Sequence, residues 1–159
     1  MLARVALMLT CLAMPISAFA QSAILTVLDT ENEEIASYTL EDLDSLDQTE
    51  FQTINAFIDE VATFSGPLVR DVLAASDIEV TPEGSVEVAA INDYAVGVPY
   101  EDILNYDVIL ATRMNGEEMS IRDKGPIWVM YPISDFPELS DSLYSSRLVW
   151  QVDRLKLVE

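Results

Sequence analysis

The sequence predicts an α+β fold, a single domain built mainly on a mixed β-sheet with short helices on its flanks. Three observations predict this class. About seven β-rich segments stand against two or three short helical patterns, so strands outnumber helices. Two pairs of these segments are joined by short turns typical of antiparallel hairpins. No repeat or low-complexity linker divides the chain, and 159 residues suit one domain.

The first twenty residues have the pattern of a secretory signal peptide. A short basic start is followed by an apolar run over residues 5–14 and by the small-residue cleavage pattern Ala18-Phe19-Ala20. We therefore expect residues 1–20 to be removed after Ala20, which leaves one periplasmic or secreted domain over residues 21–159. A membrane anchor is the alternative, but the uncharged run barely reaches the ~20 residues that a spanning helix needs.

The composition excludes several classes of site. The chain has 8 Lys and Arg, 28 Asp and Glu, no His, and a net charge of −20. Its single cysteine, Cys11, lies in the expected leader. The expected mature chain therefore has no thiol nucleophile, disulfide, Cys/His zinc site or histidine general base. So acidic a protein is also a poor partner for nucleic acid, which binds clustered Lys and Arg.

In the first half of the expected domain, local patterns predict a strand, two helices and a turn. Residues 23–29 are β-rich and predict the opening strand. The capping-box pattern Thr39-x-x-Asp42, followed by leucines at every third position, predicts a short helix. Residues 51–57 are ambiguous between strand and helix. Phe64-Ser-Gly-Pro67 is typical of a turn, and the apolar stripe over residues 68–75 predicts a helix with this proline at its first position.

The second half begins with two predicted hairpins. Two β-rich runs around Asn92-Asp93 predict the first hairpin over residues 86–98, since both turn residues tolerate positive φ. Residues 99–105 predict one helical turn. Asn115-Gly116 is the strongest short turn signal in the chain, and it predicts a second hairpin over residues 108–121.

The last part of the chain predicts two further strands. A loop at 124–126 precedes a strand at 127–131, and residues 132–142 are irregular. A long strand at 148–158 closes the chain, and its apolar phase shifts between Val152 and Leu155, which predicts a bulge. Three aromatic residues on these strands are expected in the core rather than at a binding site: Trp128, Tyr131 and Trp150.

The scarce basic residues are the best candidates for a binding site. Arg113, Arg122 and Lys124 lie across the second hairpin and the loop after it, and Arg147 lies where the last strand is expected to begin. In so acidic a chain a local basic cluster favours a small anion, because planar guanidinium donors suit bidentate contacts. The alternative is that each Arg pairs with neighbouring carboxylates, in exposed ion pairs worth about 0–1 kcal/mol.

Several segments together resemble one known family. They are Phe64-Ser-Gly-Pro-Leu-Val-Arg-Asp-Val-Leu73, Asn92-Asp-Tyr94, Tyr106-Asp-Val-Ile-Leu-Ala-Thr-Arg-Met-Asn-Gly116, Lys124-Gly-Pro126 and Tyr144-Ser-Ser-Arg-Leu-Val-Trp150. With these segments the chain resembles the molybdopterin-binding domain of the sulfite oxidase family, in particular a short exported branch of molybdopterin-dependent oxidoreductases. The resemblance covers nearly the whole expected domain and implies the sulfite oxidase molybdopterin-binding fold, which agrees with the elements above.

The resemblance also implies a molybdenum site, and this sequence departs from that site. In the family a Cys thiolate binds molybdenum, and it would lie before Phe64, where residues 50–63 contain no Cys. The family's His-Gly-x-Pro-x-Arg segment holds the pterin phosphate, but the matching stretch here is Lys124-Gly-Pro-Ile-Trp128. A family Lys near the final strand aligns with Val149. The metal ligand and most of the cations that hold the phosphate are therefore missing.

From these departures we expect an exported, non-catalytic form of the fold that binds a small anionic ligand or a membrane or periplasmic protein. No residue is predicted to be catalytic or to bind a metal, and no cofactor is expected. The resemblance implies a ligand pocket where the family binds its cofactor, lined by Arg70, Asn92, Tyr94, Arg113, Arg122, Lys124 and Arg147. The alternative is an active oxidoreductase that binds molybdopterin, with a Ser or Asp in place of the Cys ligand.

Overall fold

The computed structural model describes residues 22–158, so the expected leader lies outside the described residues. The strands are β1 (Leu25–Leu28), β2 (Glu34–Tyr38), β3 (Gln48–Thr53), β4 (Ala62–Pro67), β5 (Ser85–Ala90), β6 (Ala95–Pro99), β7 (Ile109–Ala111), β8 (Arg113–Met114), β9 (Glu117–Glu118), β10 (Trp128–Met130) and β11 (Val152–Val158). The helices are α1 (Leu40–Ser45), α2 (Val69–Ala75), α3 (Tyr100–Asn105) and α4 (Ser142–Arg147), with 3-10 turns at Ile121–Asp123 and Pro137–Ser140. The predicted α+β class is confirmed. No helix within residues 22–158 is long and apolar enough to cross a membrane.

The largest sheet has five strands in the order β2-β1-β11-β5-β6 and is mixed. The first and last strands of the domain, β1 and β11, run parallel with Val27 opposite Leu155, and every other pair in this sheet is antiparallel. The predicted hairpin of β5 and β6 is confirmed, with Asp93 at a φ of 64° in the turn. The predicted bulge is also confirmed, because the β11–β5 register shifts between Val152 and Arg154.

The remaining strands form a four-stranded sheet, β3-β4-β8-β9, and a two-stranded pair, β10-β7. The segment from β7 to β8 contributes one strand to each of these sheets, because the two strands are separated only by Thr112. The Thr112 N–H donates to the Ser65 carbonyl over 3.0 Å. The predicted turn at Asn115-Gly116 is confirmed, with φ of 54° and 82° at the two residues. The ambiguous segment, residues 51–57, is a strand only as far as Thr53, where β3 ends after pairing with β4 over its full length, and residues 54–57 form a loop.

Helix α1 forms as predicted, and the predicted capping box is present at its start. The Thr39 N–H donates to the Asp42 carboxylate over 2.8 Å, and the Asp42 N–H donates to the Thr39 hydroxyl over 3.1 Å. These two bonds satisfy backbone donors that an uncapped helix start would leave without partners. Leu43 then turns into the core and is fully buried.

One core joins all three sheets. Its largest fully buried side chains are Trp128, Tyr131, Phe64, Leu25, Leu43, Leu73, Ile103, Ile109, Leu110, Ile127, Met130 and Leu139. The prediction that Trp128 and Tyr131 belong to the core is therefore confirmed. Trp150 is half-buried and lies at the edge of the core.

The predicted turn at residues 64–67 is wrong. These residues form most of β4, a strand with partners on both sides. Gly66 permits this packing, because a Cβ at this position would collide with the carbonyl group of Leu110. Pro67 ends the strand, and α2 begins at Val69 with Leu68 as its N-cap, so the proline is not the first helical residue.

Helix α4 was not predicted, and the last strand is shorter than predicted. The chain forms α4 at the end of the stretch expected to be irregular and immediately before the strand expected at 148–158, and β11 begins only at Val152. Asp141 starts the helix, because its carboxylate accepts the Leu143 N–H over 2.9 Å. Arg147 is therefore the last residue of a helix and not the first residue of a strand. Its position on the helix determines which residues its side chain contacts.

Candidate functional site

An open cavity of about 320 Å³ lies where the β5–β6 turn, α4 and the segment before β11 meet. Its volume is at the lower end of the range for small-molecule sites. The lining consists of Phe57, Ala90, Asn92, Tyr94, Ser145, Ser146, Leu148, Val149 and Trp150. None of these side chains carries a charge, so an acidic molecule has here an uncharged lining of aliphatic, aromatic and hydroxyl-bearing residues with one amide.

A series of edge-to-face aromatic contacts connects the cavity to the core. Phe57 meets Trp150 nearly at right angles, with ring centroids 4.8 Å apart. Trp150 lies 6.4 Å from Trp128, which in turn lies 5.4 Å from Phe64, and both contacts are edge-to-face. The Trp128 indole N–H donates to the Leu148 carbonyl over 3.0 Å. These contacts hold Trp150 in place at the cavity wall.

The hydroxyl groups along the cavity already donate their hydrogens to carbonyl groups. The Tyr94 hydroxyl donates to the Ser146 carbonyl over 3.1 Å, and the Ser146 hydroxyl donates to the Leu143 carbonyl over 2.6 Å. The Ser145 hydroxyl donates to the Asp141 carbonyl over 3.4 Å. A hydroxyl has one donor and two acceptor sites. These three groups therefore offer the cavity oxygen lone pairs.

A buried ion pair fixes the helix that carries the two serines. The Arg147 guanidinium donates to the Asp102 carboxylate over 2.5 Å, and the two side chains are only 11% and 9% exposed. Tyr131 donates its hydroxyl to the same carboxylate oxygen over 2.8 Å. Burial and the Asp102 charge raise the pKa of Tyr131 well above its usual value, so the phenol keeps its proton. The Arg147 guanidinium also lies 5.2 Å from the centre of the Tyr144 ring.

Sequence comparison now places the chain in a family. A profile described as "Oxidoreductase molybdopterin binding domain" matches residues 14–134. The chain belongs to this family. Its match begins inside the expected leader, upstream of the residues that carried the resemblance. Of the curated proteins compared with the chain, none matches.

A solved structure shows the same fold. The crystal structure of the sulfane dehydrogenase SoxCD from Paracoccus pantotrophus matches 89% of this chain, with a TM-score of 0.65 and 16% sequence identity. The match covers 39% of the SoxCD chain, so this chain corresponds to about two fifths of that protein. The molybdopterin-binding fold that the resemblance implied is therefore confirmed.

Two of the seven residues that were expected to line a pocket do line the cavity. Asn92 and Tyr94 lie in and beside the β5–β6 turn, where the Asn92 side-chain oxygen accepts the Tyr94 N–H over 3.1 Å. Arg147, on α4, forms an ion pair with Asp102 on α3. Arg70, on α2, donates to Asp107 over 2.7 Å. These two guanidiniums therefore bind the protein's own carboxylates.

The other three cationic residues lie near the second hairpin. Arg113 binds Asp44 of α1 through two bonds of 2.5 and 2.8 Å and lines a separate surface cavity. Arg122 is exposed in the 3-10 turn. Lys124 has a φ of 72°, and its ammonium group lies 5.3 Å from the centre of the Trp128 ring. The seven residues are thus distributed over several surfaces, and the anion pocket they would form stays a prediction.

Sequence reasoning missed most of the lining. The missed residues are Phe57, Ala90, Ser145, Ser146, Leu148, Val149 and Trp150. A signal existed for part of this set, because Ser145 to Trp150 lie within a segment that carried the family resemblance. Phe57 lies in the stretch where the resemblance implies the molybdenum ligand. Ala90 lies outside the segments that carried the resemblance, and no motif singled it out.

Proposed function

We propose that this chain is a non-catalytic binding domain of the molybdopterin-binding family, which holds a small molecule in the cavity between the β5–β6 turn and α4. One observation supports the proposal above all. The cavity is lined by Phe57, from the stretch where the resemblance implies a Cys ligand, and by Val149, where it implies a Lys. A cavity at this place with an apolar lining fits retention of the fold and loss of the family's cofactor chemistry.

The side chains around the cavity do not fit the molybdenum cofactor. The chain has no thiol beyond Cys11, and molybdenum in this family needs a soft thiolate ligand. In residues 22–158 no three carboxylate, thiol or imidazole groups are placed together to hold a metal ion. The cofactor is also a polyanion, and the cavity lining offers it no cation. We therefore derive no catalytic step for this chain, and the expectation that it binds no cofactor stays a prediction.

The place of action is also a proposal. Removal of residues 1–20 would release the domain into the periplasm or the medium, starting at Gln21. There the ligand-bound domain could contact a membrane or periplasmic protein as a ligand-presenting subunit. The intact mass of the exported protein tests the start site, and a pull-down that recovers no membrane protein would argue against the subunit role.

Cofactor transfer tests the proposed function. Molybdenum cofactor released from a molybdoenzyme is mixed with the purified chain, and the molybdenum that co-elutes with the protein on gel filtration is measured. A cofactor-free enzyme of the sulfite oxidase family that retains its Cys ligand is the positive control. We expect molybdenum to co-elute with the control and not with this chain. Near-stoichiometric molybdenum on this chain would support the alternative, an active oxidoreductase with a Ser or Asp ligand.

A further inference from the structure

We infer that the cavity selects an organic cation, a ligand with an alkylated ammonium or similar group attached to an apolar body. This inference rests on the proposed function, because it names the ligand class of the same cavity. It depends on three independent features of the site: its aromatic lining, the state of its hydroxyl groups and the charge of the protein.

The first feature is the aromatic lining. Three rings line one cavity, those of Phe57, Tyr94 and Trp150. Phe57 and Trp150 stand at 76° to one another and form a corner, and Phe57 and Tyr94 are 37% and 50% exposed. The faces of aromatic rings are electron-rich, and they attract cations by about 0.5–2 kcal/mol per contact. Two or three such contacts around one alkylated ammonium group favour it over a neutral group of the same shape.

The second feature is the set of lone pairs that the hydroxyl groups present. An anion needs donors, but Tyr94, Ser145 and Ser146 donate their hydrogens to backbone carbonyls. The same groups keep acceptor sites that attract a positive ligand. Asn92 is the exception, because its side-chain oxygen accepts the Tyr94 N–H and its neutral NH2 group is a donor. The three hydroxyl groups favour a cation over an anion.

The third feature is the charge of the whole molecule. A net charge of −20 attracts cations and repels anions at distances up to the Debye length, about 8–10 Å at ordinary salt. Arg70, Arg113 and Arg147 each form an ion pair with a carboxylate, and none of them is part of the cavity lining. The local chemistry and the long-range potential thus favour the same ligand class.

Three probes of similar size and different charge test this inference by calorimetric titration of the full chain. They are phenyltrimethylammonium, its neutral isostere tert-butylbenzene, and benzenesulfonate. We expect the cation to bind roughly tenfold more tightly than the neutral isostere, the ratio that a difference of about 1.4 kcal/mol produces. We expect the sulfonate to bind most weakly. Equal binding of the cation and the neutral isostere, or tightest binding of the sulfonate, would overturn the inference.

Two variants in one exposed loop distinguish the attraction of a cation by an aromatic ring from the burial of apolar surface. Phe57→Leu removes a ring and keeps an apolar side chain, so we expect it to weaken binding of phenyltrimethylammonium several-fold and to leave tert-butylbenzene nearly unchanged. Val61→Ala is the matched control, since Val61 is 59% exposed in the same loop and is not part of the cavity lining. Equal loss for both probes in Phe57→Leu would contradict a cation site.

The outcomes also separate the two proposals. If no probe binds and the chain still takes up no molybdenum cofactor, the ligand class is wrong and the non-catalytic assignment stands. If the cofactor binds, the proposed function fails, whatever the probes show.

Discussion

At the scale of single residues, the arginines of this molecule act as cross-links between elements. Arg70 joins α2 to Asp107, Arg113 joins β8 to α1, and Arg147 joins α4 to α3. Carboxylates exceed cations more than threefold in this chain, with 28 against 8. Because acceptors are so abundant, these guanidiniums have carboxylate partners within the protein, and they are not available to a ligand without breaking an ion pair.

The Arg113–Asp44 pair makes stability depend on pH in a defined direction. Hydrogen bonding from Arg113 lowers the pKa of the Asp44 carboxyl below its ordinary value. A lowered pKa in the folded state adds stability above the ordinary Asp value of about 4, and this stability is lost as the pH falls through the folded value. We therefore predict that Asp44→Asn lowers Tm at pH 7 and that this effect decreases as the pH falls below about 4. Thermal unfolding across this range checks it, with Asp59→Asn, at an exposed carboxylate, as the control. A difference in Tm that does not change with pH would contradict the prediction.

Arg147 is expected to contribute far more to stability than an arginine on the surface. Its partner Asp102 is only 9% exposed, so Arg147→Met would leave a carboxylate buried without its cation. We predict a loss of about 3–5 kcal/mol in the free energy of unfolding, measured in urea. Arg154→Met is the control, because its partners Asp93 and Asp153 are 85% and 33% exposed, and we expect a clearly smaller loss, of about 1 kcal/mol. Similar losses in the two variants would show that the Asp102 pair has no special role.

At the scale of elements, α1 tests how much a local motif contributes. Thr39→Ala removes the hydroxyl that accepts the Asp42 N–H, and we predict a loss of about 1 kcal/mol in the free energy of unfolding. Thr30→Ala, at an exposed turn residue, is the control for loss of a threonine. An unchanged urea midpoint in Thr39→Ala would mean that tertiary contacts alone hold the helix.

The elements that the sequence predicted correctly share a physical property. Their determinants lie within a few residues of one another, as in the capping box of α1 and in the turns at Asn92-Asp93 and Asn115-Gly116. The wrong turn at residues 64–67 and the missed helix α4 depend on distant contacts. Strand β4 forms at a Gly-Pro pair because Gly66 lies against Leu110, far along the chain. Helix α4 has a local N-cap at Asp141, but an ion pair with a partner 45 residues away also holds it in place.

At the scale of the whole molecule, the fold was more predictable than the site. Asn92 and Tyr94, two of the residues that the family resemblance implied for a ligand pocket, line the cavity, and their role in binding stays a prediction. The resemblance did not predict which carboxylate forms an ion pair with each arginine. Asp44 and Arg113 are 69 residues apart in sequence, and they come together because α1 packs against β4, which pairs with β8. The anion pocket was inferred from the positions of cations in the sequence, and the structure shows that several of them have partners.

The molybdenum content of the protein purified from its native host tests the central claim most directly. The claim is that this domain keeps the molybdopterin-binding fold and uses its cavity for a different ligand. We predict far less than one molybdenum atom per chain by elemental mass spectrometry, in cells that make active molybdoenzymes. A value near one molybdenum atom per chain would contradict the account.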